Sequence, residues 1–420
     1  MPHPGPRGPD WIRSLSNPPV QTDPAFHRSA AMLLKDATDA AGEARASSKG
    51  PAAGSLPFEP NNAFRTYHNT AYASGIFTAM YGGNSSLLNY GILLYAPDSL
   101  AKDGTDFART VPPVNWRLLA RHKEISIVDV RPRLSMDDGL KPFAQALLVT
   151  VREGYVCAYL DEFYLKGSPT YGKWHNKHET LICGYDAAKN ALALAFYGSD
   201  GRFALVDMDL GHAVASFASI KGWPRQWTFD ATDRAEGFCA AMKKPVYVIR
   251  AAPQPQTALD RSLIARQLED QLHSRSTYAD YIGDPMTNWF EAPGVFGLET
   301  YGAYEQMIAQ FAGGGRAVDP RATRVLWEHK VLMIERVAAL RKQGCMIPEA
   351  LDRPLKDAAT IAKALHWSLS AGARGPGRSL ASKHLGELVQ LRSLERDCLS
   401  AILDGVAGGE SSGPTAPGKA

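Results

Sequence analysis

Apolar positions come in short runs along the first half of the chain and at helical spacing along the second. Tyr155–Leu160 and Thr180–Cys183 are apolar runs on either side of a polar loop. Gly184-Tyr185-Asp186 reads as the turn that closes the second run and opens a third strand, Ala191–Tyr197. The pattern is strand, loop, strand, turn, strand, with His178 at the lip of the middle strand. The next stretch, Leu192–Tyr197, Ser199-Asp200-Gly201 and Phe203–Val206, predicts a hairpin. Asn89–Tyr95, Ile125–Val130 and Val246–Arg250 predict further strands, and Asp137–Arg152 and Gly211–Ile220 predict helices. Asp23-Pro24 can start a helix running to about Arg45, with proline in its first turn. Small residues Ala71, Ala73, Ser74, Gly75 and Ala79, mixed with Ile76, Phe77 and Met80, predict a closely packed buried helix. It begins near His68–Thr70, with Asn69 or Thr70 as cap, and ends at Gly82-Gly83-Asn84.

Beyond Pro255 long helices are predicted over Leu259–His273, Leu298–Phe311, Arg321–Gln343, Leu355–Ser370 and Leu380–Leu403. In the third, Val325, Leu326, Leu332, Met333, Val337 and Leu340 recur at helical spacing. The expected organisation is an N-terminal extension over 1–55, partly helical or disordered. An α+β domain over 56–252, an all-helical domain over 253–404 and a disordered tail over 405–420 follow. At 420 residues and 45% hydrophobic content the chain can bury a sizeable core. A net charge of +3 without a Lys/Arg block gives no footprint for nucleic acid. No stretch approaches the roughly 18–20 apolar residues of a membrane helix. The five cysteines are odd in number and contain no CxxC pair, so they form neither a disulfide framework nor a zinc signature. Cys157 and Cys183 read as small buried hydrophobes. With no apolar segment at the N-terminus, a reducing cytoplasm is the expectation, with no cofactor.

His178 followed by ICGYD, after DEFYL, is similar to the His-strand-GYD segment of the papain-like family typified by butirosin biosynthesis protein H, which is related to the C39 peptidases. VFGLETYGAYEQMIAQF and DPRATRVLWEHKVLMIERV resemble the helical region that follows that domain, and the resemblance runs from about Phe58 to Leu403. It implies a papain-like α+β fold and an acyl transfer from a carrier-protein thioester to an amine. In such enzymes a cysteine at a helix N-terminus is the nucleophile, a histidine on the sheet takes its proton, and an Asp or Asn orients the histidine. Residue by residue, His178 matches the histidine. The helix expected to carry the cysteine starts near His68, and Tyr67-His68-Asn69-Thr70 stands there instead.

Three readings follow from that departure. His68 and His178 act as a non-covalent acid/base pair on an acyl or peptidyl intermediate, with Asp200 or Asp207 orienting His178. Thr70 or Ser74 are weaker candidates for the nucleophile, and Tyr67, Asn69, Asp161, Tyr164 and His175 line the substrate. Alternatively the fold is a non-catalytic scaffold that binds a peptide or carrier. In the third reading His68, His175 and His178 ligate a metal, with Asp161 or Glu162 adding an oxygen. Asp161-Glu162 reads either as a paired-carboxylate device or as a strand-end polar pair with Asp161 bonding loop backbone. His329 reads as a solvated or capping residue. The resemblance makes the expected partner an acidic acyl or peptidyl carrier protein, and a face bearing Arg321, Arg324 and Lys330 would meet it. A small molecule or peptide is the substrate, and amphipathic helices in the second half could pair two copies of the chain.

Overall fold

The computed structural model describes residues 24–47, 54–60, 68–82, 87–103, 109–111, 125–129, 139–198, 203–220, 246–251, 258–275, 294–312, 320–372 and 381–408. In chain order its elements are α1 (Pro24–Ser47), α2 (His68–Tyr81), β1 (Leu93–Pro97), α3 (Asp98–Asp103), β2 (Arg109–Val111), β3 (Ile125–Asp129) and α4 (Leu140–Thr150). Then come β4 (Tyr155–Asp161), β5 (Lys177–Asp186), β6 (Ala191–Tyr197), β7 (Phe203–Asp209), α5 (Leu210–Ile220) and β8 (Val246–Ala251). The remainder is α6 (Arg261–His273), β9 (Gly294–Phe296), α7 (Thr300–Ala312), α8 (Pro320–Lys342), α9 (Asp352–Gly372) and α10 (Ala381–Ala407). The protein is a mixed helix-and-sheet fold whose main sheet is antiparallel. Among the described residues no helix is long and apolar enough to cross a membrane.

Contacts divide the chain into two units. The first falls within Met1–Asn61, Ile127–Asp230 and Ala240–Arg250, the second within Asn62–Ser126, Ala231–Cys239 and Ala251–Ala420. The contacts assign α2, β1, α3 and β2 to the same unit as the C-terminal helices. Periodicity along a chain reports each element's own period, not the partner it folds against.

In the first unit the sheet order is β3-β8-β4-β5-β6-β7. β6 is buried almost throughout, while β7 alternates as an edge strand. Helices α4 and α5 supply the apolar layer, with Phe143, Leu147 and Leu148 of α4 and Val214 and Phe217 of α5 in one core with Leu160, Ile182 and Leu194 of the sheet. Each such buried side chain contributes about 1.5–3 kcal/mol by removal from water. α1 crosses α4 and α5 with Ala30, Ala37, Ala41 and Ala44, a stripe of small residues that lets backbones approach. A Cβ on Gly211 of α5 would lie 2.7 Å from the Thr38 Cα of α1.

The turn expected at Gly184-Tyr185-Asp186 lies elsewhere. β5 continues through these residues to Asp186, and the turn is 187–190, with Asn190 at φ 53°. Asp186 Oδ1 organises it by accepting from Ala188 N at 2.9 Å and Lys189 N at 3.2 Å. Gly184 marks a register shift against β6, where Ser55 approaches so closely that a Cβ would meet its Cα at 2.7 Å.

The second unit holds a three-stranded antiparallel sheet, β2-β1-β9, with helices α6 to α10. The chain from Leu88 to Leu94 runs through its interior, so its backbone must find partners there. Arg336 donates to Leu88 O (2.7 Å) and Tyr90 O (2.8 Å), His329 to Ile92 O (2.6 Å) and Gln267 to Asn89 O (2.7 Å). Gln271 accepts from Leu94 N at 2.8 Å. The strand expected over Asn89–Tyr95 therefore begins later, at Leu93. Its first residues bond side chains of α6 and α8 in place of a neighbouring strand.

Candidate functional site

The polar loop between β4 and β5 is closed at its base by the pairing Leu160↔His178 and Asp161↔Lys177. Asp161 ends β4, and a 3₁₀ turn, Glu162–Tyr164, follows at once. This brings two adjacent carboxylates opposite residues 175–178. The loop folds back on itself through Gly172 N to Phe163 O (2.9 Å) and Ser168 Oγ to Glu162 O (2.7 Å). Gly167 and Gly172 take φ of 97° and 66°, a region that suits residues without a Cβ.

Each carboxylate holds one histidine. His178 Nδ1 lies 2.9 Å from Glu162 Oε1, and His175 Nδ1 makes a short hydrogen bond to Asp161 Oδ2. A carboxylate is acceptor only, so both rings present Nδ1–H to their acids, and Nε2 is the nitrogen of each ring that can exchange a proton with a substrate. The acids are buried, Asp161 wholly and Glu162 nearly so, while the side chains of His175 and His178 are 27% and 40% exposed. The phenol of Tyr164, beside Asp161, is pushed up to about 12 by burial and by that negative charge. The Phe163 ring lies 4.7 Å from that of His175.

Further bonds fix the acids. Glu162 Oε2 accepts from Asn176 Nδ2 (2.6 Å) and Thr170 Oγ1 (3.4 Å), while Glu162 N donates to Asn176 O (2.8 Å). Burial pushes the Glu162 carboxyl up, but the hydrogen bond and charge of His178, with Asn176 and Thr170, hold it below the ordinary carboxylate value. Asp161 Oδ1 accepts from Phe163 N (3.1 Å) and Asn176 N (3.2 Å), and its Oδ2 from Ser219 Oγ (2.7 Å). The Ser216 hydroxyl bonds both Asp161 N (2.7 Å) and Asp161 O (3.0 Å), and His212 Nδ1 donates to Tyr164 O (2.9 Å). His212, Ser216 and Ser219 lie at i, i+4 and i+7 of α5, one polar stripe on an otherwise apolar helix. That stripe is a sequence signal that hydrophobic periodicity alone passes over.

Of the residues singled out from the sequence, the structure gathers Asp161, Tyr164, His175 and His178. Asp161 does bond loop backbone as expected, and it also holds a histidine. The orienting acid of His178 is Glu162, not Asp207, which pairs with Lys189 at 2.6 Å. Tyr67 and Asp200 lie outside the described residues, as do the side chains of His68 and Asn69. Thr70 is half-buried in the first turn of α2, and Ser74, one turn further on, is fully buried, so Ser74 cannot meet a substrate. Cys157, Cys183, Cys345 and Cys398 are all buried, and burial raises the Cys183 thiol far above its ordinary value. Among the described residues no group of three His, Cys, Asp or Glu is placed to hold a metal ion. His175 and His178 bond separate carboxylates.

His329 and Lys330 also differ from expectation. Lys330 is buried against Glu395 at 2.6 Å, and His329 has no exposure. Both residues lie on the buried face of α8.

Neither the protein-family models nor the curated proteins compared with the chain give a match.

Proposed function

We propose that the β4–β5 loop carries an acid/base site acting on an acyl or peptidyl group held as a thioester on a carrier protein, in a domain of the papain-like, C39-like kind. The observation that carries this reading is the His178–Glu162 pair. A partly exposed imidazole has Nδ1–H anchored on a buried, ionised carboxylate, which makes Nε2 the base. In the reaction Nε2 takes the proton of an attacking amine or hydroxyl as its lone pair adds to the thioester carbonyl. The C–S bond then breaks, and the departing thiolate takes the proton from the imidazolium. Glu162 stabilises that imidazolium and fixes its orientation. Transfer, condensation and cyclisation differ in which nucleophile attacks, and all three use this step. The substrate class is supported by the resemblance of the HETLICGYD and DEFYL segments to the thioester-using family. Cys157, Cys183, Cys345 and Cys398 are buried, and direct attack without an acyl-enzyme asks for none of them.

The test compares native protein with His178→Ala and Glu162→Gln on a panel of carrier-bound acyl and aminoacyl thioesters with amine acceptors, read by mass spectrometry. Product formation that falls about 10²–10⁴-fold in His178→Ala is expected, as for loss of a general base. Equal turnover by native and variant proteins overturns the assignment. Tight carrier binding without turnover in any of them selects the scaffold reading.

A further inference from the structure

Helices α9 and α10 pack together in the second unit and join a hydroxyl, an imidazole and a carboxylate in one hydrogen-bonded row. Ser368 lies near the C-terminal end of α9, and His384 in the first turn of α10. His384 Nε2 is 3.0 Å from Ser368 Oγ, and its Nδ1 is 2.9 Å from Glu387 Oε2. His384 and Glu387 stand three positions apart, the spacing that puts two side chains on one face of a helix.

A carboxylate only accepts, so His384 presents Nδ1–H to Glu387 and turns Nε2 to Ser368. In the neutral ring that nitrogen holds a lone pair, and the Ser368 hydroxyl donates to it. Acid, imidazole and hydroxyl thus stand in the order that activates a serine as nucleophile. Exposure rises along the row from the ring outward. The His384 side chain is 2% exposed, whereas Ser368 is half-buried and meets solvent.

Other hydroxyls of the protein are committed differently. Ser216 donates to Asp161 O at 3.0 Å, and Ser400 to Arg396 O at 3.1 Å, the ordinary back-bonding of a helical serine. Thr323 meets His366 Nδ1 at 3.1 Å, but both residues are buried. Ser368 reaches across to a neighbouring helix instead.

The geometry points to a second catalytic site, at which Ser368 accepts an acyl group with His384 as its base and Glu387 as the positioning residue. Ser368 Oγ adds to the acyl carbonyl while its proton passes to His384 Nε2. The bond to the leaving group then breaks, and the leaving thiolate or alkoxide takes that proton. Water next adds to the acyl-serine, giving a proton to Nε2. The Oγ–carbonyl bond breaks, Oγ recovers the proton, and a carboxylic acid departs. Ser368 N–H lies inside α9, where the helix ladder uses it, so the serine's own amide supplies no oxyanion donor. That restricts the substrate to acyl groups already activated, as thioesters or aryl esters. None of these residues belongs to the β4–β5 loop, and the site stands whether or not that loop is catalytic.

The test treats full-length protein with an alkyl fluorophosphonate, which phosphonylates activated serines with loss of fluoride. Peptide mass spectrometry maps the modified residue. Labelling at Ser368 is expected, at a rate that falls as acid protonates His384 and that drops at least tenfold in Glu387→Gln with unchanged circular dichroism. Labelling is read on the native chain, so it does not depend on a variant folding. In parallel, hydrolysis of p-nitrophenyl acetate should fall to background in Ser368→Ala and stay unchanged in Ser400→Ala. No label at Ser368 overturns the proposal, as does a labelling rate equal in native protein and Glu387→Gln, the result for a serine that merely ties two helices. Equal hydrolysis by native protein and Ser368→Ala overturns it too. His178→Ala separates the two sites. Hydrolysis lost there but kept in Ser368→Ala belongs to the loop and removes this site. The reverse upholds this site and leaves the carrier-thioester reading to its own test.

Discussion

Each unit contains histidines set against buried carboxylates, and the two arrangements lead to opposite chemistry. In the first unit Asp161 and Glu162 are sealed while His175 and His178 remain partly exposed. In the second every member is sealed: Glu395 accepts from Lys330 (2.6 Å), Tyr301 (2.5 Å) and Gln271 (3.1 Å), and Lys330 also donates to His329 Nδ1 at 3.0 Å. There the imidazole proton sits on Nε2, committed to Ile92 O, and burial with the neighbouring Lys330 charge pushes His329 down to about 3. Such a ring stays neutral at ordinary pH and serves as a fixed donor. His178 has the other tautomer and meets solvent. The hollow beside Lys330, Glu395 and Cys398, about 10 Å³, has room for a single water and not for a substrate. A buried acid can orient a histidine in either setting, and exposure of the ring decides whether a proton can leave.

The largest effect should come from breaking the sealed network. Glu395→Ala strands the Lys330 charge without a partner in the interior, which costs about 3–5 kcal/mol. Equilibrium urea unfolding should show that loss, and the double variant Lys330→Met/Glu395→Leu should recover most of it. A change within about 0.5 kcal/mol in Glu395→Ala would mean that the network is solvated and the contrast false.

A smaller, pH-dependent effect is expected in the open network. The folded value of Glu162 is depressed, so its stabilisation is fully present above the unfolded carboxylate value of 4.5 and is lost as pH falls through the lower folded value. Glu162→Gln should cost about 1.5–3 kcal/mol at pH 7, the worth of a hydrogen bond to a charged group, and flatten the acid limb of stability against pH. Parallel curves for native and variant protein below pH 5 would rule out an ionised Glu162.

The smallest change concerns Ser219, one of several donors to Asp161. Ser219→Ala should remove about 1 kcal/mol, and the ¹⁵N signals of His175 should broaden as its ring loses orientation while those of His178 stay put. Equal broadening of both rings would show that the two pairs act as one unit.

Much of this arrangement is legible in the chain. The β4-loop-β5 pattern places His178 at a strand lip, Cys157 and Cys183 inside strands, and the helical periods of α6 to α10 nearly to their ends. Those features are local, since an alternating or 3.6-residue period is a property of neighbouring residues. What the chain alone left undecided depends on distance. Glu162 stands sixteen positions from His178 and becomes its partner only through the antiparallel register, while Asp207 is taken by Lys189. Gly184 resembles a turn in sequence, yet it is a bulge because Ser55, from far upstream, presses against it. His329 and Lys330 look like surface residues of a polar helix until the buried backbone of 88–94 supplies an acceptor and Glu395 a countercharge. Sequence therefore determined which elements form and which side chains are capable of proton chemistry. Tertiary packing determined which of them meet a carboxylate and which meet water, because burial and pairing are set by residues far apart along the chain.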